Sequence, residues 1–124
     1  MDSIQFTILR KKLKKTQQYL ARLMGTSVKA IHSYEQGWRT VPAHVEKQLL
    51  LLACMANGRR QSDSPCWVLR QCPEDRRERC PAWEFQAGDL CWFINGTICE
   101  GAPRKNWQEK MEICGSCVVL TSKL

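Results

Sequence analysis

The chain has 124 residues, eight cysteines and a formal net charge of +7. A chain of this length forms one ordinary domain or two small ones, and small domains bury too little apolar surface to be stable without further support. It contains no run of about 18 apolar residues, and its first residues lack the basic and then apolar segments of a signal peptide. We therefore expect a soluble cytoplasmic protein that does not bind membranes.

The basic charge is confined to the first half of the chain. Residues 1–60 contain 11 Lys or Arg and 3 acidic residues, a net charge of +8, whereas residues 61–124 contain 8 and 9, a net charge of −1. A basic surface of this size is typical of proteins that bind the phosphate backbone of nucleic acids. The charge therefore favours a DNA contact by the first half and not by the second, although charge alone leaves membrane binding open.

The composition changes at residues 57–65, a polar stretch with the sequence NGRRQSDSP that is typical of a linker. Seven of the eight cysteines and four of the five tryptophans follow it. We predict an all-helical DNA-binding domain at residues 1–58, a linker at residues 59–64 and a cysteine-rich module at residues 65–121.

Apolar periodicity predicts four helices in the first domain. The residues that define the first helix are Ile4, Ile8, Leu9 and Leu13. The fourth helix begins near Val41-Pro42, and its leucine-rich face is predicted to cover the other three. Cys54 lies on that helix, so we predict that it is a core residue and not a metal ligand.

Capping residues bound the second and third helices. Thr16 and Ser27 are hydroxyl N-caps, and Gly25 and Gly37 end the two helices where a left-handed conformation is needed. Ala21 is the small residue, four positions before Gly25, that lets two helices pack closely around a tight turn. This spacing predicts a helix-turn-helix that presents the third helix outward.

The segment from Thr16 to Gly37, TQQYLARLMGTSVKAIHSYEQG, resembles the helix-turn-helix of the phage repressor, Cro and XRE family. It matches the pattern T-Q-x-x-L-A-x-x-x-G-x-S-x-x-x-I-x-x-x-E-x-G, and the resemblance covers about residues 5–55. The resemblance implies a regulator that binds double-stranded DNA with the third helix in the major groove. It also implies a symmetric homodimer, although the fifth helix common in the family is short or missing.

The resemblance further implies the residues that contact DNA. Gln17, at the start of the second helix, is expected to anchor a phosphate. The positions on the third helix that face the bases hold Ser27, Val28, Lys29 and Ser33, with His32 beside them. The positions expected along the DNA backbone hold Trp38, Arg39 and Thr40. Val28 can meet a thymine methyl group, and Lys29 can reach either guanine or a phosphate.

The second half contains seven cysteines: Cys66, Cys72, Cys80, Cys91, Cys99, Cys114 and Cys117. It contains no histidine, so a metal site there would be entirely thiolate. All seven are candidate ligands, but only Cys114 and Cys117 have the two-residue gap that lets both sulfurs reach one ion. Such a pair is compatible with an iron–sulfur cluster, zinc or a dithiol redox pair.

Local patterns predict a β-hairpin and short helices in this half. Asn95-Gly96 is typical of a two-residue hairpin turn and would place Cys91 and Cys99 on neighbouring strands. Pro73 opens one short helix, and residues 106–113 form another that leads into the terminal C-G-S-C turn. The expected fold class is therefore α+β, with a four- to five-helix domain followed by a small metal-stabilised module.

The spacing of cysteine and tryptophan resembles a module of bacterial signalling proteins. The matching motifs over about residues 66–120 are CW at 66, CP at 72, CPAW at 80, CW at 91, GTxC at 96 and CxxC at 114. The resemblance implies a role in sensing. It does not define the chemistry of the cysteines.

Three functions follow from these patterns. The leading one is a transcriptional regulator whose cysteine-rich module senses redox state or metal, through an iron–sulfur cluster. The alternative is a DNA-tethered adaptor in which zinc is bound at a structural site and the module binds another protein. A thiol-disulfide oxidoreductase working through Cys114 and Cys117 is disfavoured because no thioredoxin-like strand-helix pattern surrounds that pair, so we predict no enzyme.

Overall fold

The computed structural model describes residues 1–56, 65–122 and 124. The chain divides into two compact units, unit 1 at Met1–Gly58 and unit 2 at Arg59–Leu124. The predicted linker at residues 59–64 lies outside the described residues. Within those residues, none of the helices has the length and apolar character that a membrane span requires.

Unit 1 contains the four predicted helices, which are α1 Ser3–Lys12, α2 Gln17–Met24, α3 Val28–Gln36 and α4 Ala43–Ala56. Its core is formed by fully buried side chains from every helix, which are Phe6, Leu20, Ile31 and Leu49. The first helix differs from the sequence pattern, because Ile4 and Ile8 are exposed while Phe6 and Leu9 are buried. The centroids of the Phe6 and Tyr34 rings lie 5.7 Å apart, so α1 packs against α3 through the face that carries Phe6.

The predicted caps of α2 and α3 are present. The Thr16 side chain accepts a hydrogen bond from the backbone N–H of Tyr19, and the Ser27 side chain accepts one from that of Ala30. Gly25 and Gly37 end the two helices in the left-handed conformation, with φ angles of 65° and 77°. These local signals explain why the boundaries could be predicted from the sequence.

Unit 2 is mostly helical, with one small antiparallel sheet. Its helices are α5 Cys66–Leu69, α6 Glu74–Arg77, α7 Pro81–Glu84, α8 Cys91–Ile94, α9 Trp107–Gly115 and α10 Val118–Thr121. Strand β1 (Ile98–Cys99) pairs with β2 (Ala102–Pro103), so that Ile98 is opposite Pro103 and Cys99 is opposite Ala102. The described residues therefore fit the α+β class. Pro73 precedes α6, as predicted, and Trp92 is fully buried in the core.

The hairpin predicted at Asn95-Gly96 is wrong. Residues Cys91–Ile94 form helix α8, and Asn95 caps its C-terminus with a φ of −77°. A two-residue type I′ hairpin turn needs a positive φ at both central residues, so Asn95-Gly96 cannot form one. Only Gly96 has a positive φ, and it lies directly after the helix cap. The turn between β1 and β2 is instead at Glu100 and Gly101, whose φ angles are 55° and 78°.

The C-G-S-C segment also differs from the expected free turn. Helix α9 continues through Cys114 and ends at Gly115, while Cys117 is the N-cap of α10. Asn106 caps the start of α9 by accepting a hydrogen bond from the backbone N–H of Glu109. The two cysteines are therefore separated by a helix end.

Candidate nucleic-acid interface and thiol-lined cavity

The turn between α2 and α3 is compact. The backbone N–H of Thr26 donates to the carbonyl oxygen of Ala21 at 3.0 Å, and Gly25 supplies the left-handed residue between them. Ala21 is buried, as a close crossing of the two helices requires. The side of α3 that does not pack against the other helices faces outward.

The outward side of α3 carries most of the predicted DNA contacts. Val28 and Lys29 are exposed in its first turn, directly after Ser27. The ring of His32 is half-buried and meets the Trp38 ring edge-on at 5.4 Å. The Trp38 side chain is 71% exposed, and Arg39 and Thr40 beside it are also exposed. This surface can meet both base edges and phosphates.

Gln17 belongs to a hydrogen-bonded network that joins three helices. Its side-chain Nε2 donates to Oε2 of Glu35 at 2.8 Å, and Arg10 donates to both oxygens of the same carboxylate. Burial raises the pKa of Glu35, but the hydrogen bonds from Arg10 and Gln17 outweigh burial and hold that pKa below its ordinary value. The network orients Gln17 at the N-terminus of α2, where backbone N–H groups can receive a phosphate.

All seven cysteines of unit 2 line a cavity within that unit. The cavity measures about 560 Å³, including space that is open to solvent. The cysteines that line it are Cys66, Cys72, Cys80, Cys91, Cys99, Cys114 and Cys117. No disulfide joins any of these seven residues, all of which lie in the described part of the chain. The fold thus gathers thiols from most of the length of the unit around one space.

The donor set of this cavity is that of a thiolate metal site, because zinc and iron–sulfur clusters both take Cys sulfur. Among the described residues, no group of three or more His, Cys, Asp or Glu side chains is placed so that it could hold a metal ion. The seven cysteines thus line the cavity without forming such a group.

The thiols differ in how readily they lose a proton. Cys66 and Cys91 share a side-chain hydrogen bond, which lowers the pKa of Cys66 and raises that of Cys91. Burial raises the pKa of Cys72 and brings that of Cys114 to about 11. Cys66 is therefore the more readily ionised member of its pair.

Two buried polar side chains also line the cavity. Lys110 is 1% exposed, and its Nζ donates to the carbonyl oxygen of Gly96 at 2.9 Å. Asn95 is 6% exposed, and its Nδ2 donates to the Sγ of Cys80 at 3.3 Å. The Oδ1 of Asn95 has no hydrogen-bond partner among the described residues. Neither residue could be predicted to line a cavity from the sequence, because both positions depend on contacts between distant segments.

An ion-pair cluster centred on Glu100 lies at the edge of the cavity. Glu100 pairs with Arg70, with Arg76 at 3.5 Å and with Arg104 at 4.0 Å. The hydrogen bond from Arg70 lowers the pKa of Glu100. Arg70 also donates to the Sγ of Cys117 at 3.6 Å. The cluster therefore fixes a cation beside one of the thiols.

Comparison with known families identifies the motif in unit 1. Residues 8–43 match a family model described as helix-turn-helix. This segment is a helix-turn-helix. The match supports a DNA-binding transcription regulator, and because it ends at residue 43 it does not include the cysteine-rich unit. No curated protein and no solved structure matches the chain.

One residue of the helix-turn-helix differs from its expected position. Ser33 is 6% exposed, and its hydroxyl donates to the carbonyl oxygen of Lys29 at 2.8 Å. The side chain is turned into the domain, so it cannot contact a base while α3 keeps this orientation. We therefore remove Ser33 from the candidate DNA contacts.

Sequence reasoning missed the ion pair of Arg10 with Glu35, although Glu35 is the acidic position of the helix-turn-helix pattern.

Proposed function

We propose that the protein is a DNA-binding transcription regulator whose DNA affinity responds to the state of the thiols in unit 2. The observation that carries the regulatory part of this proposal is that all seven cysteines of unit 2 line one cavity. Cysteines kept only for packing would have no reason to share a single partly open space. The helix-turn-helix match supports the DNA-binding part.

The proposed DNA contacts fall into two groups. Residues at the outward start of α3 read base edges, and these are Ser27, Val28, Lys29 and His32. Residues beside them hold the phosphate backbone, and these are Gln17, Trp38, Arg39 and Thr40. The exposure of the first turn of α3 supports the first group, and the position of Gln17 at the start of α2 supports the second. We also propose a homodimer on paired half-sites, the usual arrangement for a helix-turn-helix.

We further propose an iron–sulfur cluster as the group held by the cavity, with zinc as the alternative. All seven candidate ligands line one cavity, and no histidine is among them. Seven thiols exceed the four ligands of one zinc ion, and this excess of sulfur supports a cluster.

Lys110 is a second observation that supports an anionic centre. A buried ammonium group is costly unless an anion faces it. Among the described residues, one carboxylate lines the cavity, that of Glu100, and it pairs with Arg70. The remaining source of negative charge in the cavity wall is deprotonated cysteine. Thiolates held by a metal centre would supply that charge permanently.

Binding of the metal centre by the cysteines would also stabilise the folded state of unit 2. Most helices of unit 2 are four residues long, so little of the unit can be stable by local structure alone. Ligand thiolates that are tied to one centre contribute their binding free energy to folding. When bound, the cluster supplies a redox-sensitive, removable centre. Its loss would loosen unit 2 and weaken a dimer formed through it.

The proposal is tested on the full-length protein purified without oxygen. Iron, acid-labile sulfide and zinc are measured per chain, and the visible absorbance spectrum is recorded. Preferred DNA sequences are selected from a random double-stranded library. Iron and sulfide in near-equal amounts, with a selected DNA sequence, support the proposal. Stoichiometric zinc in a colourless protein favours the DNA-tethered adaptor, and failure to select any DNA contradicts both functions.

A further inference from the structure

The side chain of Asn95 connects the end of α8 to the start of α7 through one sulfur of the cavity. Its Nδ2 donates to the Sγ of Cys80 at 3.3 Å, and both residues are buried. Asn95 is the C-cap of α8, and Cys80 is the N-cap of α7. The hydrogen bond is therefore part of the packing between two helices that are separate in sequence.

The backbone on each side of this contact has hydrogen bonds of its own. The N–H of Asn95 donates to the carbonyl oxygen of Cys91 at 3.0 Å, and its carbonyl oxygen accepts from the N–H of Ile98 at 2.9 Å. The N–H of Cys80 donates to the carbonyl oxygen of Arg77 at 3.0 Å. Because both backbones are held in this way, the fold itself directs the Asn95 amide toward the sulfur.

The two polar atoms of the Asn95 side chain are unequally paired. Nδ2 donates to the sulfur, whereas Oδ1 has no hydrogen-bond partner among the described residues. A buried amide group that is partly unpaired costs stability. Hydrogen bonds to a charged acceptor are the stronger ones, so a metal-bound thiolate would be a better partner for this donor than a neutral thiol.

A second sulfur of the cavity has a more replaceable donor. Cys117 accepts a hydrogen bond from Arg70 at 3.6 Å, and the Arg70 side chain is 32% exposed. Water can take the place of a donor at such an exposed position. Asn95 is only 6% exposed, so water has little access to replace its N–H group.

We propose that Asn95 is a positioning residue for the metal centre of unit 2, which holds Cys80 as a ligand and helps to set the reduction potential of the centre. This inference deepens the proposed function and rests on it for the presence of the metal. Hydrogen-bond partners of metal ligands orient those ligands, and their loss costs about 10–100-fold in metal affinity. A donor to a ligand sulfur also stabilises the more negative, reduced state of an iron–sulfur cluster.

The test uses the full-length protein purified without oxygen and compares Asn95→Leu with the wild type. Leucine keeps much of the side-chain size and removes the N–H donor. Metal affinity is measured by competition with a chelator, and the reduction potential by a mediated titration followed by visible absorbance. We expect metal binding to weaken by at least about tenfold and the potential of an iron–sulfur centre to fall.

Two further variants keep this result interpretable. Asn95→Asp keeps the shape of the side chain and also lacks the N–H donor, so it should show the same two changes. Asn106→Ala is the control, because it removes the N-cap of α9 at an exposed position and should leave the reduction potential unchanged. Wild-type affinity and potential in either folded Asn95 variant would overturn the assignment.

A double-mutant cycle shows whether Asn95 acts through Cys80. Cys80→Ala alone should weaken metal binding, and adding Asn95→Leu should weaken it no further, because the sulfur that Asn95 positions is already gone. An equal effect of Asn95→Leu with and without Cys80 would assign Asn95 a general structural role and overturn the proposal.

The outcome is separable from that of the proposed function. If the Asn95 variants behave as expected while DNA affinity is the same with and without metal, the role of Asn95 stands and regulation of DNA binding fails. If metal removal changes DNA affinity while the Asn95 variants keep the wild-type metal affinity and potential, regulation stands and the Asn95 assignment fails. A wild-type protein that binds no metal would overturn both.

Discussion

The Nζ of Lys110 lies 2.9 Å from the carbonyl oxygen of Gly96, within the wall of the thiol-lined cavity. Lys110→Met keeps much of the side-chain volume and removes the charge. If the cavity holds an anionic centre, this variant should release metal to a chelator about tenfold faster than the wild type, because the compensating cation is gone.

Lys105→Met is the matched control, because Lys105 is an exposed lysine close in sequence. It should leave metal release unchanged. If the cavity holds no anion, Lys110→Met should instead stabilise unit 2 by about 1–4 kcal/mol, since replacing a buried charge by an apolar group is then favourable. Urea unfolding of both variants measures this difference. Stabilisation without a change in metal release would contradict the anionic centre.

The ion pair of Arg10 with Glu35 gives a second prediction. Arg10→Met leaves the Glu35 carboxylate without its main partner, so it should lower the free energy of unfolding of unit 1 by about 2–3 kcal/mol. Lys12→Met, at an exposed position of the same helix, should change it by less than about 0.5 kcal/mol. Equal effects of the two variants in urea unfolding would show that the network does not stabilise the domain.

The same network predicts a dependence of stability on pH. The folded pKa of Glu35 lies below its ordinary value of 4.5. Its contribution is therefore complete above that value and is lost as the pH falls through the lower folded pKa. Unfolding of Glu35→Gln, followed from neutral to acidic pH, should lack this part of the loss. An unchanged pH profile in that variant would assign the acid sensitivity to other carboxylates.

Helix boundaries in unit 1 could be predicted because they depend on neighbouring residues. Thr16, Ser27 and Gly25 fix the ends of α2 and α3 through contacts within a few positions. The orientation of Ser33 could not be predicted in the same way, because it depends on how α3 packs against the rest of the domain. Pattern alone could therefore locate the recognition helix but could not identify every residue on its outward face.

Unit 2 was less predictable for a related reason. Asn95-Gly96 is a common hairpin signal, but the Asn95 side chain binds Cys80 and the residue ends a helix. That contact joins distant segments of the chain. The seven cysteines were evident as candidate ligands, whereas their shared cavity and the buried Lys110 depend on the whole fold of the unit.

The groove-facing helix gives a fourth prediction. Lys29→Ala should weaken binding to the selected DNA sequence by about 1–3 kcal/mol and relax the preference at one base position, if Lys29 reads a base edge. Ser33→Ala is the matched control on the same helix. Because the Ser33 hydroxyl binds the Lys29 carbonyl inside the domain, its loss should leave the sequence preference unchanged. A uniform loss of affinity across DNA sequences in Lys29→Ala would assign Lys29 to a phosphate.

Cys54, the cysteine outside the cavity, gives a fifth prediction. Cys54 is buried on α4 of unit 1, so Cys54→Ala should leave metal content unchanged and cost about 1 kcal/mol of stability. Cys114→Ser and Cys117→Ser should each lower metal content and destabilise unit 2 more than unit 1. Full metal content in both serine variants would move the ligands to the other five cysteines of the cavity.

The dependence of DNA affinity on the state of the thiol cavity is the central claim, and one titration tests it most directly. Affinity for a selected duplex is measured at fixed salt with the protein as purified without oxygen, after removal of its metal, and after reconstitution. We predict that removal changes the affinity by at least about tenfold and that reconstitution restores it. Equal affinity in all three states, with metal content confirmed to differ, would contradict the account.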